Sequence, residues 1–408
     1  MKNKPSYQSI LALSFMIFFI SDIQGGIGPI LAIYLRSHLG WSTSQVGIAL
    51  AAAGFAGAIF QMPSGILVDA IPFKRTLIGL ACACIIMSCY VILKQTSFYS
   101  IIAAQSLVGI AASLIPPAIT AVTLGLVGRE YFPIRVTVNE SLTHAGTVFT
   151  MVAIGIVAQL YGHSWIVYGT IIFSFIALIP LLFINSNEID HSIARELPTV
   201  EPDAKPIGFL QLTKSKPIVI FFSSVIMFHI ANAAQLPLVG QELAEINPNR
   251  DSIFMASCIV LAQFVMVIVA FSLRFIIDKM GRKPIYLFAF IFLIVRALLF
   301  SITKNSYHLL FIQLLDGVSA GIFGVVAVVI VSDLAAGTGR FNFLVGVLGL
   351  CVGVGSSISN LVAGYITSVY GFFIGFLSLA FVASVGLLIF GFILRETKDY
   401  SMRIEKRL

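Results

Sequence analysis

Several charged or strongly polar side chains of this 408-residue chain stand inside long apolar stretches, where the chemistry open to them is proton transfer or ligand binding. Asp22 interrupts the first stretch, and Gln24 and a Gly-Gly-Ile-Gly-Pro sequence that can bend a helix follow it. A carboxyl group that meets water can release its proton, whereas one closed off in apolar surroundings keeps it. Asp22 is therefore our first candidate for carrying a proton, and a hydrogen-bonded structural aspartate is the alternative.

A polar cluster occurs again in the second half of the chain. His229, Asn232 and Gln235 follow one another at intervals of three residues, which places them on one face of a helix. A histidine can titrate near physiological pH or donate a hydrogen bond to an anion. His229 is our second candidate for proton coupling, and a packing histidine satisfied within the protein is the alternative.

Two further pairs combine a charge with a second ionisable group. Arg296 and Asp316 lie at similar distances from the turn at 304–306, so we expect them at similar depth, either as a buried ion pair or as groups that bind a charged substrate. Glu140 and His144 are one helical turn apart, at the predicted cytoplasmic start of the fifth helix. They are candidates for a gate, and local stabilisation of the helix is the alternative.

Twelve apolar runs of close to twenty residues each supply the elements that must position these groups. Hydrophobic residues make up 58% of the chain and charged residues only 11%, which excludes a soluble domain. About twenty mainly apolar residues are enough for a helix to cross a bilayer. The pattern therefore predicts an all-α integral membrane protein with twelve transmembrane helices.

The basic residues indicate how these helices are oriented. With twelve spans, twenty of the 25 Lys and Arg residues fall on one side and four on the other. Such residues concentrate in cytoplasmic loops, so both termini are predicted to be cytoplasmic, with the chain in a bacterial cytoplasmic (inner) membrane. The first apolar run lacks a small-residue cleavage site and is predicted to be a retained helix.

The second half of the sequence repeats the first at an offset of about 208 residues. Five landmarks recur at this offset, among them Asp69 with Asp278 and Gln105 with Gln313. Duplicated six-helix halves place a substrate site between the repeats, near the bilayer midplane. The predicted domains are an N-terminal bundle over 1–184, a cytoplasmic linker over 185–216, and a C-terminal bundle with a short cytoplasmic tail over 217–408.

The sequence resembles the major facilitator superfamily over essentially its whole length. The resemblance rests on a loop signature, Gly-x-x-x-Asp-x-x-Gly-Arg-Arg/Lys, after the second and eighth apolar runs; Pro72 replaces its second glycine in the first copy. It implies a fold of two pseudo-symmetric six-helix bundles whose charged loops form a cytoplasmic latch. The implied latch residues are Asp69, Lys74, Arg75, Asp278, Arg282 and Lys283. Ordinary membrane anchoring by basic residues is the alternative.

The superfamily fold also implies that helices 1, 4, 7 and 10 line the substrate cavity. The candidate cavity residues are Gln24, Gln105, His229, Asn232, Gln235, Arg296, Gln313 and Asp316. Two features of proton-coupled drug transporters are missing, because Gln105 replaces a frequent arginine of helix 4 and helix 5 lacks a Gly-Pro signature. The subfamily is therefore not assignable.

The sequence predicts a carrier rather than an enzyme. It has no nucleotide-binding Gly-x-x-x-x-Gly-Lys-Ser/Thr loop and no nucleophile–base signature. Its five cysteines lie in apolar segments at spacings unlike those of a metal site. We expect no cofactor, no metal and no nucleic-acid partner.

We predict a secondary active transporter that moves a small organic molecule by alternating access, coupled to protons or another ion, in the direction of efflux. Import or export of a siderophore or another metabolite is one alternative, and a membrane receptor that binds a ligand without moving it is another. The expected partners are the substrate, the coupling ion and the lipid bilayer, and the expected oligomeric state is a monomer.

Overall fold

The computed structural model describes residues 5–24, 31, 34–41, 43–197, 206–208, 211–212, 214–246 and 251–398. Within these residues the chain is helical and contains no β-strand. An apolar solvent explains this architecture, because lipid offers no hydrogen-bond partner and a helix satisfies its own backbone. The prediction of an all-α protein is confirmed.

The helices of the first half of the chain are α1 (Tyr7–Gln24), α2 (Thr43–Ala70), α3 (Lys74–Lys94), α4 (Phe98–Tyr161), α5 (Trp165–Phe183) and α6 (His191–Ala194). Those of the second half are α7 (Lys216–Asn232), α8 (Gln235–Ile246), α9 (Asp251–Leu273), α10 (Ile277–Met280), α11 (Arg282–Ile302), α12 (Ser306–Ile312), α13 (Leu314–Ala335) and α14 (Phe341–Ile393). A π-helical turn at Tyr34–His38 and a 3-10 turn at Ser186–Glu188 complete the described elements.

Eight helical segments among the described residues are long and apolar enough to cross a membrane. Tyr7–Ser21 and Ser257–Leu273 are shorter apolar helices. The two longest helices, α4 and α14, have 64 and 53 residues, well beyond the roughly 20 that one crossing needs. Each is broken at a glycine with left-handed backbone, Gly128 at φ 72° and Gly371 at φ 81°, which a residue with a Cβ rarely adopts. The count of twelve crossings stays a prediction.

The break at Gly128 changes the expected position of Glu140. The sequence analysis placed Glu140 and His144 at the start of the fifth helix, but α4 is helical on both sides of Gly128. Glu140 therefore lies twelve residues beyond the break, or about 18 Å along the helix axis at 1.5 Å per residue. The expectation that this pair stands at a helix start was wrong, because the mainly apolar residues 131–138 continue the helix; its role as a gate stays a prediction.

The chain divides into two compact units. Unit 1 comprises Met1–Arg135, Leu142–Ala204 and Thr338–Val347, and in it α1 and α3 pack against α5. Unit 2 comprises Val136–Ser141, Lys205–Gly337 and Leu348–Leu408, and in it α9 and α11 pack against α13. Each unit has its own apolar core. The predicted domain limits at 184 and 216 stay a prediction.

Candidate functional site

A break between two helices of unit 2 is closed by polar side chains. α7 ends at Asn232 and α8 begins at Gln235. At this break the Ala234 N–H donates to Ser359 Oγ (3.0 Å), and Gln235 Nε2 donates to the carbonyl oxygen of Ala231 (2.9 Å). Side chains thus replace backbone partners that an unbroken helix would supply, as buried backbone groups require.

The guanidinium of Arg296, from α11, lies at the centre of this cluster and is buried. Its Nε donates to Gln235 Oε1 (2.8 Å) and its Nη2 to Asn232 Oδ1 (2.6 Å). Its Nη1 forms an ion pair with Asp316 of α13. Gln313 Nε2 in turn donates to the second carboxylate oxygen of Asp316 (2.8 Å). Five of the predicted cavity residues therefore meet, and the protein itself supplies the partners of Arg296.

Removing one member of the buried pair should destabilise the protein far more than removing one member of an exposed pair. Asp316→Ala leaves Arg296 charged without its carboxylate, and we expect a loss of about 3–5 kcal/mol in the free energy of unfolding. The matched control is Asp278→Ala, because the Asp278 side chain is 41% exposed and its partner Arg282 keeps a second carboxylate, that of Asp333. We expect a loss of about 0–1 kcal/mol, as for pairs that meet solvent. Denaturant unfolding in detergent micelles measures both, and equal losses would contradict a buried structural pair.

His229 stands one helical turn before Asn232 on α7 and has aromatic neighbours. Its ring meets the ring of Phe323 edge to face, with 4.8 Å between the centroids, and also contacts Phe228. Its Nε2 is buried and has no hydrogen-bond partner among the described residues. Such an atom is costly unless a ligand or water satisfies it, so His229 has an unused polar group to offer.

The remaining cavity candidates differ in what the structure describes of them. Gln105 of α4 belongs to unit 1, where it is buried and its Nε2 has no partner among the described residues. Gln313 of unit 2 keeps a buried Oε1 without a partner in the same part of the chain. Asp22 and Gln24 lie in α1, but their side chains are outside the described residues.

The Asp69 carboxylate, at the end of α2, lies at the start of α14 within unit 1. It accepts hydrogen bonds from the Asn342 N–H (3.2 Å), from Asn342 Nδ2 (2.9 Å) and from the Phe343 N–H (2.9 Å). The first N–H groups of a helix lack intrahelical acceptors, and the helix dipole favours an anion there. Beside it, the buried Lys74 donates to the Val68 carbonyl, while the half-buried Arg75 donates to Ser186 Oγ (2.7 Å).

Close backbone contact between α2 and α14 depends on glycine. A Cβ at Gly65 would overlap the Asn342 carbonyl oxygen and lie 2.8 Å from Phe343 Cα. A Cβ at Gly346 would in the same way overlap the Gln61 carbonyl oxygen. Small residues permit such close approach of helices, and here they bring Asp69 to the first turn of α14.

Two glycines of α2 should respond oppositely to the same substitution. Gly65→Ala should lower the free energy of unfolding by about 1–3 kcal/mol, because the new methyl group overlaps the backbone of α14. Gly54→Ala is the matched control, since a Cβ at Gly54 meets nothing within 4 Å. Alanine is the better helix former by up to about 1 kcal/mol, so the control should be neutral or stabilising. Thermal unfolding in micelles checks the pair, and equal midpoints would refute the close contact.

Part of the predicted linker is folded and packs in unit 1. Asn342 Nδ2 donates to the Ala194 carbonyl (2.9 Å), and the Gly339 N–H donates to the Glu196 carbonyl (3.1 Å). The buried Glu196 carboxylate forms an ion pair with Arg129. The sequence analysis treated 185–216 only as a linker, because these contacts join residues that are far apart in the chain and leave no periodic signal.

The second copy of the loop signature makes different contacts, within unit 2. Arg282 Nη1 donates to Asp278 Oδ1 (3.0 Å), and its Nε donates to Asp333 Oδ2 (3.2 Å). The first N–H groups of α11, those of Arg282 (2.9 Å) and Lys283 (3.0 Å), donate to the carboxylate of Glu396. Glu396 therefore caps α11 as Asp69 caps α14, although the sequence analysis did not single it out.

Glu396 should make the stability of the protein depend on acid pH. Burial alone would raise the pKa of its carboxyl group, but four backbone N–H donors, first that of Lys398, bring the pKa below its ordinary value. Its contribution is present above the pKa of an unfolded glutamate, about 4.3, and is lost as the pH falls through the lower folded pKa. In thermal unfolding across this range Glu396→Gln should lose less stability than the wild type. The exposed Glu130→Gln should behave as the wild type, and identical profiles for all three would contradict the cap.

Comparisons with known proteins agree with this architecture. Residues 11–302 and 254–407 match the family model described as Major Facilitator Superfamily. Two Mycobacterium tuberculosis proteins, each named "Uncharacterized MFS-type transporter" (MT2531 in strain CDC 1551 / Oshkosh and Rv2456c in strain ATCC 25618 / H37Rv), are 38% identical over 401 residues. The matched region covers 97% of this chain and 95% of each relative.

Solved structures show the same fold at low sequence identity. The human organic anion transporter MFSD10 (TETRAN) is 13% identical with a TM-score of 0.73, over 95% of this chain and 100% of that one. The transporter FucP in its outward conformation is 14% identical with a TM-score of 0.75, over 93% of this chain and 97% of that one. At such identities the likeness concerns the fold alone.

Proposed function

The chain belongs to the Major Facilitator Superfamily, and from this premise we propose that it is a proton-coupled secondary transporter that exports a small organic molecule by alternating access. Membership of a transporter family makes it a multi-pass membrane protein of small-molecule transport and not an enzyme. The proposed location is a bacterial cytoplasmic membrane with both termini in the cytoplasm. The bacterial origin of the similar proteins supports the first part and the distribution of basic residues the second.

The proposal rests on buried polar atoms of apolar helices that have no hydrogen-bond partner among the described residues. In unit 2, His229 Nε2 and Gln313 Oε1 are buried without a hydrogen-bond partner among the described residues. Each such atom costs about 1–3 kcal/mol when nothing satisfies it. A bound substrate that donates and accepts hydrogen bonds removes this cost, which favours a polar or amphiphilic organic molecule.

We infer that Arg296 and Asp316 hold the neighbouring site residues in position rather than binding the substrate. The donors of Arg296 are directed at Asp316, Asn232 and Gln235, so its charge is compensated by the protein rather than kept for a substrate. The same contacts hold the break between α7 and α8, one helical turn from His229. We infer that Asn232, at the end of α7, and Gln235, at the start of α8, border the substrate site in this fixed geometry.

Proton coupling is proposed for Asp22 first and for His229 second. Asp22 stands in α1 before a Gly/Pro run, and an ionisable group in an apolar helix is a functional candidate by default. Efflux is proposed because the first loop signature resembles that of efflux members. The latch formed by the charged loops would then hold one state of the transport cycle, with Asp69 at the start of α14 as its buried contact.

The test is transport in proteoliposomes with a panel of metabolites, drugs and siderophores, with and without an imposed pH gradient. Movement of one compound driven by the gradient supports the proposal and gives the direction. Movement of a siderophore alone supports the metabolite alternative. Binding without counterflow contradicts transport and supports a receptor.

Asp22→Asn should abolish accumulation driven by the pH gradient while leaving exchange of substrate across the membrane intact. The amide cannot release a proton, but exchange needs only the substrate site. Asp22→Glu is the matched control and should keep the coupling. Gradient-driven accumulation at the wild-type level in Asp22→Asn would exclude Asp22 as the carrier, and the same comparison for His229→Gln then tests the second candidate.

A further inference from the structure

Glu140 is an acidic residue inside an apolar helix for which the described residues supply no ion-pair partner. Among the described acids, Glu242 of α8 is likewise buried with an unpartnered Oε2, whereas three others are compensated. Asp69 accepts backbone N–H groups, Asp316 pairs with Arg296, and Asp333 pairs with Arg282. An ionisable side chain without an ion-pair partner at membrane depth points to a function rather than to stability.

The neighbour of the Glu140 carboxyl group is a residue without a side chain. Glu140 belongs to the part of α4 that lies in unit 2, together with α13. A Cβ at Gly324 of α13 would lie 3.2 Å from Glu140 Oε2 and 3.8 Å from its Cδ. The next residue of α4, Ser141, donates from its hydroxyl to the Val267 carbonyl of α9 (3.1 Å), which fixes this stretch of α4 against unit 2.

Gly324 lies halfway along α13. The ring of its chain neighbour Phe323 contacts the ring of His229 edge to face. The carboxyl group of Glu140 and the imidazole of His229 therefore meet adjacent residues of one helix, at the same depth. Both side chains can hold a proton, and His229 Nε2 has no hydrogen-bond partner among the described residues. The centre of α13 is thus bordered by two titratable groups.

The nearest cation on α4 itself is Arg135, five residues before Glu140 or about 7.5 Å along the axis, and it donates to Ser14 Oγ (2.8 Å). Asp316 and Asp333 of α13 stand eight and nine residues from Gly324, about 12–14 Å along the axis. On α9 the described residues near Val267 are uncharged. On α4 itself, His144 follows one turn later. An apolar setting favours the neutral form of a carboxyl group, so Glu140 is suited to hold a proton.

We propose that Glu140 is a binding site for the coupling proton, formed by its carboxyl group and the open surface of Gly324. The assignment rests on the proposed proton coupling and adds a residue of α4 to Asp22 and His229. Proton binding neutralises the carboxylate and lets it stay against Gly324. Proton release leaves an anion that requires water at this face of α13.

Infrared spectroscopy of the full-length protein in proteoliposomes tests this directly, without a substrate. The carbonyl stretch of a protonated carboxylic acid should be present in the wild type at neutral pH and disappear on raising the pH. Glu140→Gln should lose this signal, whereas the exposed Glu130→Gln on the same helix should keep it. An unchanged signal in Glu140→Gln would overturn the proposal.

A second measurement keeps the proposal falsifiable if Glu140→Gln fails to fold. A hydrophobic carbodiimide modifies protonated carboxyl groups in apolar surroundings, so in the wild type it should label Glu140 at neutral pH and less at high pH. Peptide mass spectrometry locates the label, and absence of label at Glu140 contradicts the proposal. Gly324→Val should lower the labelling, because a larger side chain fills the space of the carboxyl group.

The transport assay separates this inference from the proposed function. Suppose that transport is driven by the pH gradient but Glu140 shows neither the infrared signal nor the carbodiimide label. That result would overturn the Glu140 site and would still support a proton-coupled transporter. A titrating Glu140 together with transport that ignores the pH gradient would overturn proton coupling, and with it the role of Glu140 in the cycle.

Discussion

A charge inside an apolar helix must be met by the protein, because lipid offers it no water, and both units are organised around this constraint. Arg296 shows how the constraint shapes the backbone. Its charge is met by Asp316, and its other donors reach Asn232 and Gln235 on the two sides of the break between α7 and α8. The side chains of the two residues that flank the break thus supply acceptors for the cation.

The first N–H groups of a helix also need a partner within the protein. Near the two copies of the loop signature, different carboxylates provide it. In unit 1 Asp69 of the loop signature itself caps α14. In unit 2 the corresponding Asp278 pairs with Arg282 instead, and Glu396 from beyond α14 caps α11. One difference between the two copies is Gly281, whose φ of 84° allows a tight turn of the backbone just before α11. The helix that follows the first copy, α3, has no side-chain cap, so the duplicated motif fixes neither which helix start is capped nor the carboxylate that caps it.

The sequence predicted those features that depend on short-range spacing. Apolar runs gave the helices, and equal distances from one turn predicted that Arg296 and Asp316 would meet. The spacing of Asn232 and Gln235 placed both on the face that reaches Arg296. Contacts between distant segments were not predictable, because Ser359 at the α7–α8 break and Glu196 beside Arg129 carry no periodic signal. The helix between Gly128 and Glu140 was not predicted, although the residues 131–138 that continue it are mainly apolar.

The centre of α13 combines a large and a small residue to hold two different polar groups. Phe323 offers a ring to His229, and Gly324 offers bare backbone to the carboxyl group of Glu140. An ionised carboxylate in this position needs water, since no described cation compensates it, whereas a neutral acid does not. Proton binding at the proposed Glu140 site therefore favours the loss of water from this face of α13. That linkage gives a carrier a physical means of tying its proton to the closure of its site.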